Sequence, residues 1–213
     1  MHTFTSSPPT PTGAPIVFVV DDDQVVSGAV TSLLKSVGYD VRAFSGPNEM
    51  LADPLAGLAG CLVLDVRLQG YSGFDLQQRL SESGNHLPIV FMTGHGDIPM
   101  SVRAMKAGAA NFLTKPFRSQ DLIDAVTEAV AAYQAYLEKQ RALDSLRKRF
   151  ECLTPRERQV MVGVVNGLLN KQIASDLVVS EITVKLHRAN MMRKMHANSI
   201  ADVVMAGHQL QLS

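Results

Sequence analysis

The sequence predicts a doubly wound α/β domain with a five-stranded parallel sheet, joined by one long helix to an all-α helix-turn-helix domain. Three observations carry this expectation. Short apolar runs alternate with helical stripes over residues 16–118, residues 120–150 contain neither Gly nor Pro, and residues 151–213 read as four helices. Strands alternating with helices at that spacing make repeated βαβ units, which build a parallel sheet with helices on both faces.

The first strand is the apolar run Ile16 to Val20, followed at once by Asp21, Asp22 and Asp23. From Gln24 to Val37 apolar residues recur at Val26, Ala29, Val30, Leu33, Leu34 and Val37, a helical stripe closed by Gly38. Val41 to Phe44 is the second strand, and Gly46 to Gly60, with Pro54 and several glycines, holds a short helix and a loop. Cys61 to Asp65 is the third strand. Its apolar residues run without a break, as in a strand covered on both faces, and then stop at a carboxylate. Phe74 to Leu80 is a helix, Ile89 to Met92 the fourth strand, Ile98 to Lys106 a helix stopped by Gly108, and Phe112-Leu113 a short fifth strand.

Polar residues stand where four of these strands end. The first ends in three aspartates, the third in Asp65, the fourth in Thr93 and the fifth in Lys115. A parallel sheet gathers such residues at its carboxyl edge, where α/β proteins bind ligands. Several carboxylates crowded together need a counter-cation, and a hard divalent ion such as Mg²⁺ (or Mn²⁺) takes carboxylates together with phosphate oxygens. With a hydroxyl and an ammonium beside them, these groups form a phosphoryl-transfer set in which a carboxylate acts as nucleophile. The blander alternatives are helix capping by Asp21–Asp23, a turn at Thr93 and a solvated Lys115.

Residues 1–118 resemble the receiver domain of two-component response regulators, a flavodoxin-like fold. The runs Met92-Thr93-Gly94-His95-Gly96-Asp97-Ile98-Pro99 and Ala104-Met105-Lys106-Ala107-Gly108-Ala109 resemble the FixJ subgroup in particular. The resemblance implies that Asp65 accepts a phosphoryl group from a partner histidine kinase. It makes Asp22, Asp65 and the backbone carbonyl of Arg67 metal ligands, with Asp21 acting through water. Thr93 and Lys115 would hold the phosphoryl oxygens, Phe112 would be an aromatic switch, and the Lys115–Pro116 bond would be cis. Gln69 departs from the family, which usually has proline before Gly70. A rival reading is a haloacid-dehalogenase-like phosphatase with Asp21 as nucleophile. It leaves Asp65 idle and lacks the later acidic pair.

Composition bounds the rest. The chain of 213 residues is 46% hydrophobic and 19% charged, which suits folded domains rather than a disordered chain. Its zero net charge is divided: residues 16–118 hold eight Lys and Arg against ten Asp and Glu, and residues 151–213 hold seven against five. A basic back end suits a polyanion. Two isolated cysteines make neither a disulfide framework nor a metal motif and suit a reducing compartment. Residues 1–15, rich in Ser, Thr and Pro without an apolar core, read as a disordered tail and not a signal peptide. No run reaches the roughly 20 apolar residues of a membrane span, so a cytoplasmic protein without membrane partners is expected.

Ser119 opens a helix that runs to residue 150, read as the linker, with Ile123, Val126, Val130, Tyr133 and Leu137 on one stripe and Leu143, Leu146 and Phe150 on a shifted one. Its second half is either a solvated linker or a surface that pairs with a second subunit. Beyond it, Thr154-Pro155-Arg156-Glu157 is a capping box with proline at the first helical position. Asn170 to Leu177, a turn at Val178 to Ser180, and Glu181 to Met195 form a helix-turn-helix whose second helix would enter a major groove. Its outward face is expected to show Lys185, Arg188 and Asn190 with Thr183, and Lys171 stands at the start of the preceding helix.

Leu-Thr-Pro-Arg-Glu-Arg, Asn-Lys-Gln-Ile-Ala and Ser-Glu-Ile-Thr-Val-Lys-Leu-His make residues 151–210 resemble the LuxR-type DNA-binding domain, which usually dimerises through its last helix. In that family the positions of Lys185, Leu186 and Ala189 face bases, where Leu186 and Ala189 can offer only apolar contact to a thymine methyl; His187 either packs or touches phosphate, or reads a base. The two resemblances imply a phosphorylation-activated transcription factor, expected to be an activator. Its partners would be a sensor kinase, double-stranded DNA with a two-fold site, RNA polymerase and, once phosphorylated, a second copy of itself. The alternative keeps the first domain only as a dimerisation module.

Overall fold

A computed structural model describes residues 15–53, 59–94 and 98–212. The expected tail lies outside the described residues except for Pro15, as do part of the Gly46–Gly60 loop and His95 to Asp97. The chain forms two compact units, Met1–Tyr136 and Leu137–Ser213.

In the first unit β1 (Ile16–Val20), β2 (Asp40–Phe44), β3 (Ala59–Asp65), β6 (Ile89–Thr93) and β7 (Asn111–Thr114) form one parallel sheet in the order β2-β1-β3-β6-β7. The central strands are buried on both faces, which explains their unbroken apolar runs. Phe18, Leu62, Leu64 and Phe91 face one core, with Met50 of α2 (Pro47–Leu51), Leu76 and Leu80 of α3 (Gly73–Glu82) and Ala104 of α4 (Ile98–Lys106). Val17, Val19, Val63 and Val90 face the other, against Val30 and Leu34 of α1 (Gln24–Ser36) and Leu122, Val126 and Val130 of α5 (Ser119–Glu151). Cys61 lies in this second core, where burial pushes its thiol up to about 12 and leaves it unreactive at neutral pH.

Several boundaries differ from the sequence expectation, and one element is new. Helix α3 begins at Gly73 and runs to Glu82, β6 takes in Thr93, and Ser119 lies inside α5. Immediately after Asp65, β4 (Arg67–Leu68) and β5 (Tyr71–Ser72) pair antiparallel as a small hairpin around Gly70, whose φ is +76°. The run is too short to show strand periodicity in the sequence. The hairpin returns the chain to Gly73, whose N–H donates to the Val66 carbonyl at 2.9 Å. A Cβ on Gly73 would lie 2.5 Å from the Asp65 carbonyl oxygen, so helix α3 packs against the end of β3 at a distance only glycine allows.

The second unit takes the end of α5, whose Leu146 and Phe150 pack on its core, with α6 (Pro155–Val165), α7 (Asn170–Leu177), α8 (Glu181–Met195) and α9 (Ile200–Gln209). Val160, Met161, Ile173, Val184, Met191 and Val203 are buried at its centre. The capping box forms as read: the Thr154 hydroxyl accepts from Glu157 N–H, and the Glu157 carboxylate accepts from Thr154 N–H at 2.8 Å. Glu157 is only 4% exposed and also accepts from Lys194 Nζ at 2.7 Å, which ties α6 to α8. Some of the basic residues serve the fold. Arg158 donates to the Glu151 carbonyl at 2.8 Å, at the end of α5, and its guanidinium lies over the Phe150 ring. Among the described residues no helix is long and apolar enough to cross a membrane.

Candidate phosphoacceptor site and nucleic-acid interface

The topology brings the sequence-predicted residues to one edge. Strand β3 lies between β1 and β6, so the residues that follow β1 flank Asp65 on one side and Thr93 flanks it on the other. Lys115 follows β7 and reaches back to donate to Asp21 Oδ2 at 2.7 Å; its Nζ lies 3.6 Å from Asp65 Oδ2. The Lys115–Pro116 bond is cis. The three consecutive aspartates have three different surroundings. Asp23 caps α1, accepting from Val25 N–H at 2.8 Å and Val26 N–H at 3.2 Å. The Asp21 side chain is fully buried and accepts from Asp23 N–H as well as Lys115. Asp22 stands half-buried with one carboxylate oxygen within 4.8 Å of ligand atoms of both Asp21 and Asp65.

The electrostatics suit an anion acceptor next to a cation site. Burial pushes the Asp65 carboxyl above its ordinary range. Lys115 opposes that rise, Asp21 adds to it, and the backbone N–H groups of Arg67 and Val66 oppose it. Three carboxylates against one ammonium leave negative charge, and oxygen donors alone make this a fit for a hard divalent ion. Asp65 keeps 13% of its side chain exposed while Asp21 keeps none, so Asp65 is the carboxylate an incoming group can reach. That geometry disfavours the phosphatase reading, which needs Asp21 as nucleophile. Thr93 is 1% exposed at the end of β6. Phe112, half-buried on β7, pairs with Phe91 across the sheet, their ring centroids 6.5 Å apart. Arg67 opens the hairpin two residues beyond Asp65.

On α8 the exposed face differs from the one expected. Val184, Met191 and Met195 are buried, and Arg188 stands on that inward stripe, half-buried, donating to Asn170 Oδ1 at 2.5 Å. Asn190 is also half-buried and accepts from Arg193 at 3.1 Å. The face open to solvent carries Ile182, Lys185, Leu186, Ala189 and Arg193, while Thr183 and His187 flank it half-buried. Thr183 N–H and hydroxyl both bond the Ser180 hydroxyl, the N-cap of α8. Lys171 is exposed at the start of α7.

Residues 17–127 match the family model described as the response regulator receiver domain, and residues 151–206 match that of bacterial regulatory proteins, luxR family. Nodulation protein W of Bradyrhizobium diazoefficiens is 50% identical over 198 residues, 93% of this chain and 87% of that protein. The chain belongs to the response regulators. Its receiver and LuxR-type DNA-binding domains make it a two-component transcription regulator, and the relatives are transcriptional regulators. The transcriptional regulatory protein FixJ of Bradyrhizobium diazoefficiens is 40% identical over 189 residues, 88% of this regulator and 92% of that protein. Among solved structures, the response regulator StyR has a TM-score of 0.84 at 44% identity, covering 92% of this chain and all of that one. Full-length FixJ has a TM-score of 0.56 at 38% identity, covering 93% and 98%.

Sequence reasoning missed three residues of this regulator that its geometry makes important. Gly73 sets the approach to Asp65, Asn170 holds Arg188, and Ile182 stands 79% exposed on α8. Ile182 had a readable signal, since it falls out of phase with the buried Val184–Met191–Met195 stripe. Asn170 had none, because its partner lies 18 residues away.

Proposed function

We propose that Asp65 accepts a phosphoryl group from the phosphohistidine of a sensor kinase, and that the modified chain pairs with a second copy and binds a two-fold DNA site. The observation that supports this most directly is the placement of the partly exposed Asp65 carboxylate 3.6 Å from Lys115 Nζ, with Asp21 and Asp22 beside it. An Asp65 oxygen attacks phosphorus, the P–O bond forms as the P–N bond breaks, and the leaving imidazole keeps the electron pair and takes up a proton. Lys115 and the Thr93 hydroxyl meet the phosphoryl oxygens. Asp22, Asp65 and the Arg67 carbonyl would hold Mg²⁺ (or Mn²⁺), with Asp21 through water. When bound, the ion supplies positive charge against the phosphoryl oxygens.

The new charge-assisted bonds to Thr93 and Lys115 are each worth about 1.5–3 kcal/mol. Inverting a 1:99 equilibrium takes about 5.5 kcal/mol, so these bonds together with the metal suffice. Phe112, half-buried on β7 beside Phe91, is the switch that carries the change. The receiver then spans residues 16–118 with its last helix, residues 119–150 transmit, and residues 151–213 bind DNA through α8, with Lys185, Leu186 and Ala189 toward bases and Lys171, Thr183, His187, Arg188 and Asn190 around the phosphates. Two half-sites about 34 Å apart would match such a pair. The regulator works in the cytoplasm and hands its signal to RNA polymerase.

The test is intact mass after incubation with acetyl phosphate and Mg²⁺. Wild type should gain about 80 Da, one phosphoryl group; Asp65→Asn should gain nothing, and Asp22→Ala should lose both Mg²⁺ binding and most of the adduct. A full adduct on Asp65→Asn refutes the assignment.

A further inference from the structure

Helix α4 is lightly held. Among its described residues only Ala104 is buried, while Ile98 is 80% exposed, Val102 45% and Met105 50%. An open groove of about 280 Å³ lies between α4 and α3, and two side chains bridge it. Gln77 of α3 donates from Nε2 to the Ala107 carbonyl at 3.0 Å, just past the end of α4. The Arg103 guanidinium of α4 lies 4.7 Å from the centre of the Phe74 ring on α3. Gln77 is only 6% exposed, on a helix that also buries Phe74, Leu76 and Leu80, where a polar side chain costs desolvation unless it is bonded. Its partner is one of the carbonyls that a helix end leaves without an intrahelical bond.

The position of α4 bears on the site because the chain runs from Thr93 through α4 to β7. Drawing Thr93 toward a phosphoryl group pulls on the start of α4, while Gln77 and Arg103 hold its end to α3. Helix α3 is itself fixed to the end of β3 by the close approach at Gly73. The Phe74 ring under Arg103 packs on Phe91 with centroids 5.0 Å apart, and Phe91 on Phe112 at 6.5 Å, so these bridges and the switch residue share one chain of aromatic contacts. Resting on the phosphoacceptor reading above, we infer that Gln77 and Arg103 clamp α4 to α3 in the unphosphorylated protein. The clamp disfavours the arrangement that a phosphoryl group on Asp65 requires, and so restrains the site from outside it. The coupling runs both ways: a phosphoryl group that favours release of the clamp is held more tightly once the clamp is gone.

The experiment uses the full chain. Hydrogen exchange read by mass spectrometry reports on α4, with α1 as the reference, in the absence of any phosphodonor. Gln77→Met keeps the length of the side chain and loses the donor. Arg103→Ala removes the cation from an exposed position and should fold as wild type. The α4 amides should exchange about fivefold faster in Gln77→Met and about threefold faster in Arg103→Ala, the factors that match one ordinary hydrogen bond and one exposed cation–π contact. Exchange in α1 should not change, and Arg103→Lys, which keeps a cation over the ring, should stay near wild type. Beryllofluoride, which bonds to a carboxylate oxygen as a phosphoryl group does, is then titrated with Mg²⁺ present. It should bind Gln77→Met and Arg103→Ala more tightly by the same factors, because the competent arrangement is more populated. Wild-type exchange of α4 in both variants, or an equal rise in α1, overturns the clamp and leaves the phosphoacceptor reading intact. So does faster α4 exchange with unchanged beryllofluoride affinity. Wild-type protein that binds beryllofluoride no better than Asp65→Asn overturns both.

Discussion

Replacing Gly73 by alanine tests how tightly the end of β3, which carries Asp65, is held. The added Cβ meets the Asp65 carbonyl oxygen at 2.5 Å, the Phe91 ring at 3.1 Å and Val66 Cα at 3.2 Å. Two of these obstacles are backbone, so no rotamer change relieves them, and the end of β3 must move by about half an ångström to restore ordinary contact. Overpacking of this kind costs about 1–3 kcal/mol. Alanine's better helix propensity offsets about 0.5–1 kcal/mol of it. A net loss of about 1–2 kcal/mol is expected, a fall of roughly 3–10 °C in the melting of a unit this size. The same shift displaces the Asp65 carboxylate from Lys115. Since a 1 Å misplacement can cost about a hundredfold, phosphorylation should slow about tenfold. Calorimetry reads the first effect in the transition that Mg²⁺ shifts, and an intact-mass time course reads the second. Gly28→Ala on α1, where a Cβ meets nothing within 4 Å, is the control and should stabilise slightly. Wild-type melting and phosphorylation in Gly73→Ala would refute the reasoning.

The DNA-binding unit offers two further tests. Val178, the C-cap of α7, holds φ 56° and ψ 50° while 89% exposed, a conformation costly for a β-branched residue, and its side chain loses almost no packing when removed. Val178→Gly should raise the stability of this unit by about 1 kcal/mol, read in denaturant melts; an unchanged or lower midpoint would show that the turn is unstrained. For Glu157, burial by itself pushes the carboxyl up, but the bonds from Lys194 and from Thr154 outweigh it and hold the group below the ordinary glutamate range. Its contribution is therefore fully present above the unfolded value of about 4.3 and is lost as pH falls through the lower folded value. Glu157→Gln should cost about 1.5–3 kcal/mol at neutral pH and flatten the acid side of the stability profile. Parallel acid melts of mutant and wild type would contradict this.

The carboxyl-edge site could be read from sequence because its signals are local. An unbroken apolar run marks a strand covered on both faces, and the polar residue that ends it must sit at the edge of a parallel sheet. Asp65, Thr93 and Lys115 each carry that signal on their own strand, and the order of strands then brings them together. The cap at Ser180 and the box at Thr154 are equally local, since each bonds within one turn. Tertiary structure decided the surroundings of Asp21, whose buried carboxylate takes the bond from Lys115, and of Asp22, whose carboxylate stands within 4.8 Å of ligand atoms of Asp21 and Asp65. Asp23 is marked locally by the helix it caps, whereas the partner that sets Asp21 apart stands 94 residues away. Tertiary structure also set the phase of α8. Arg188 looked outward on its charge, yet the packing of Val184, Met191 and Met195 turns it inward to Asn170 and leaves Ile182 and Leu186 facing solvent. A helix's buried face is chosen by the summed apolar contact with its neighbours, and a single charged residue on that stripe follows if its end can reach a partner.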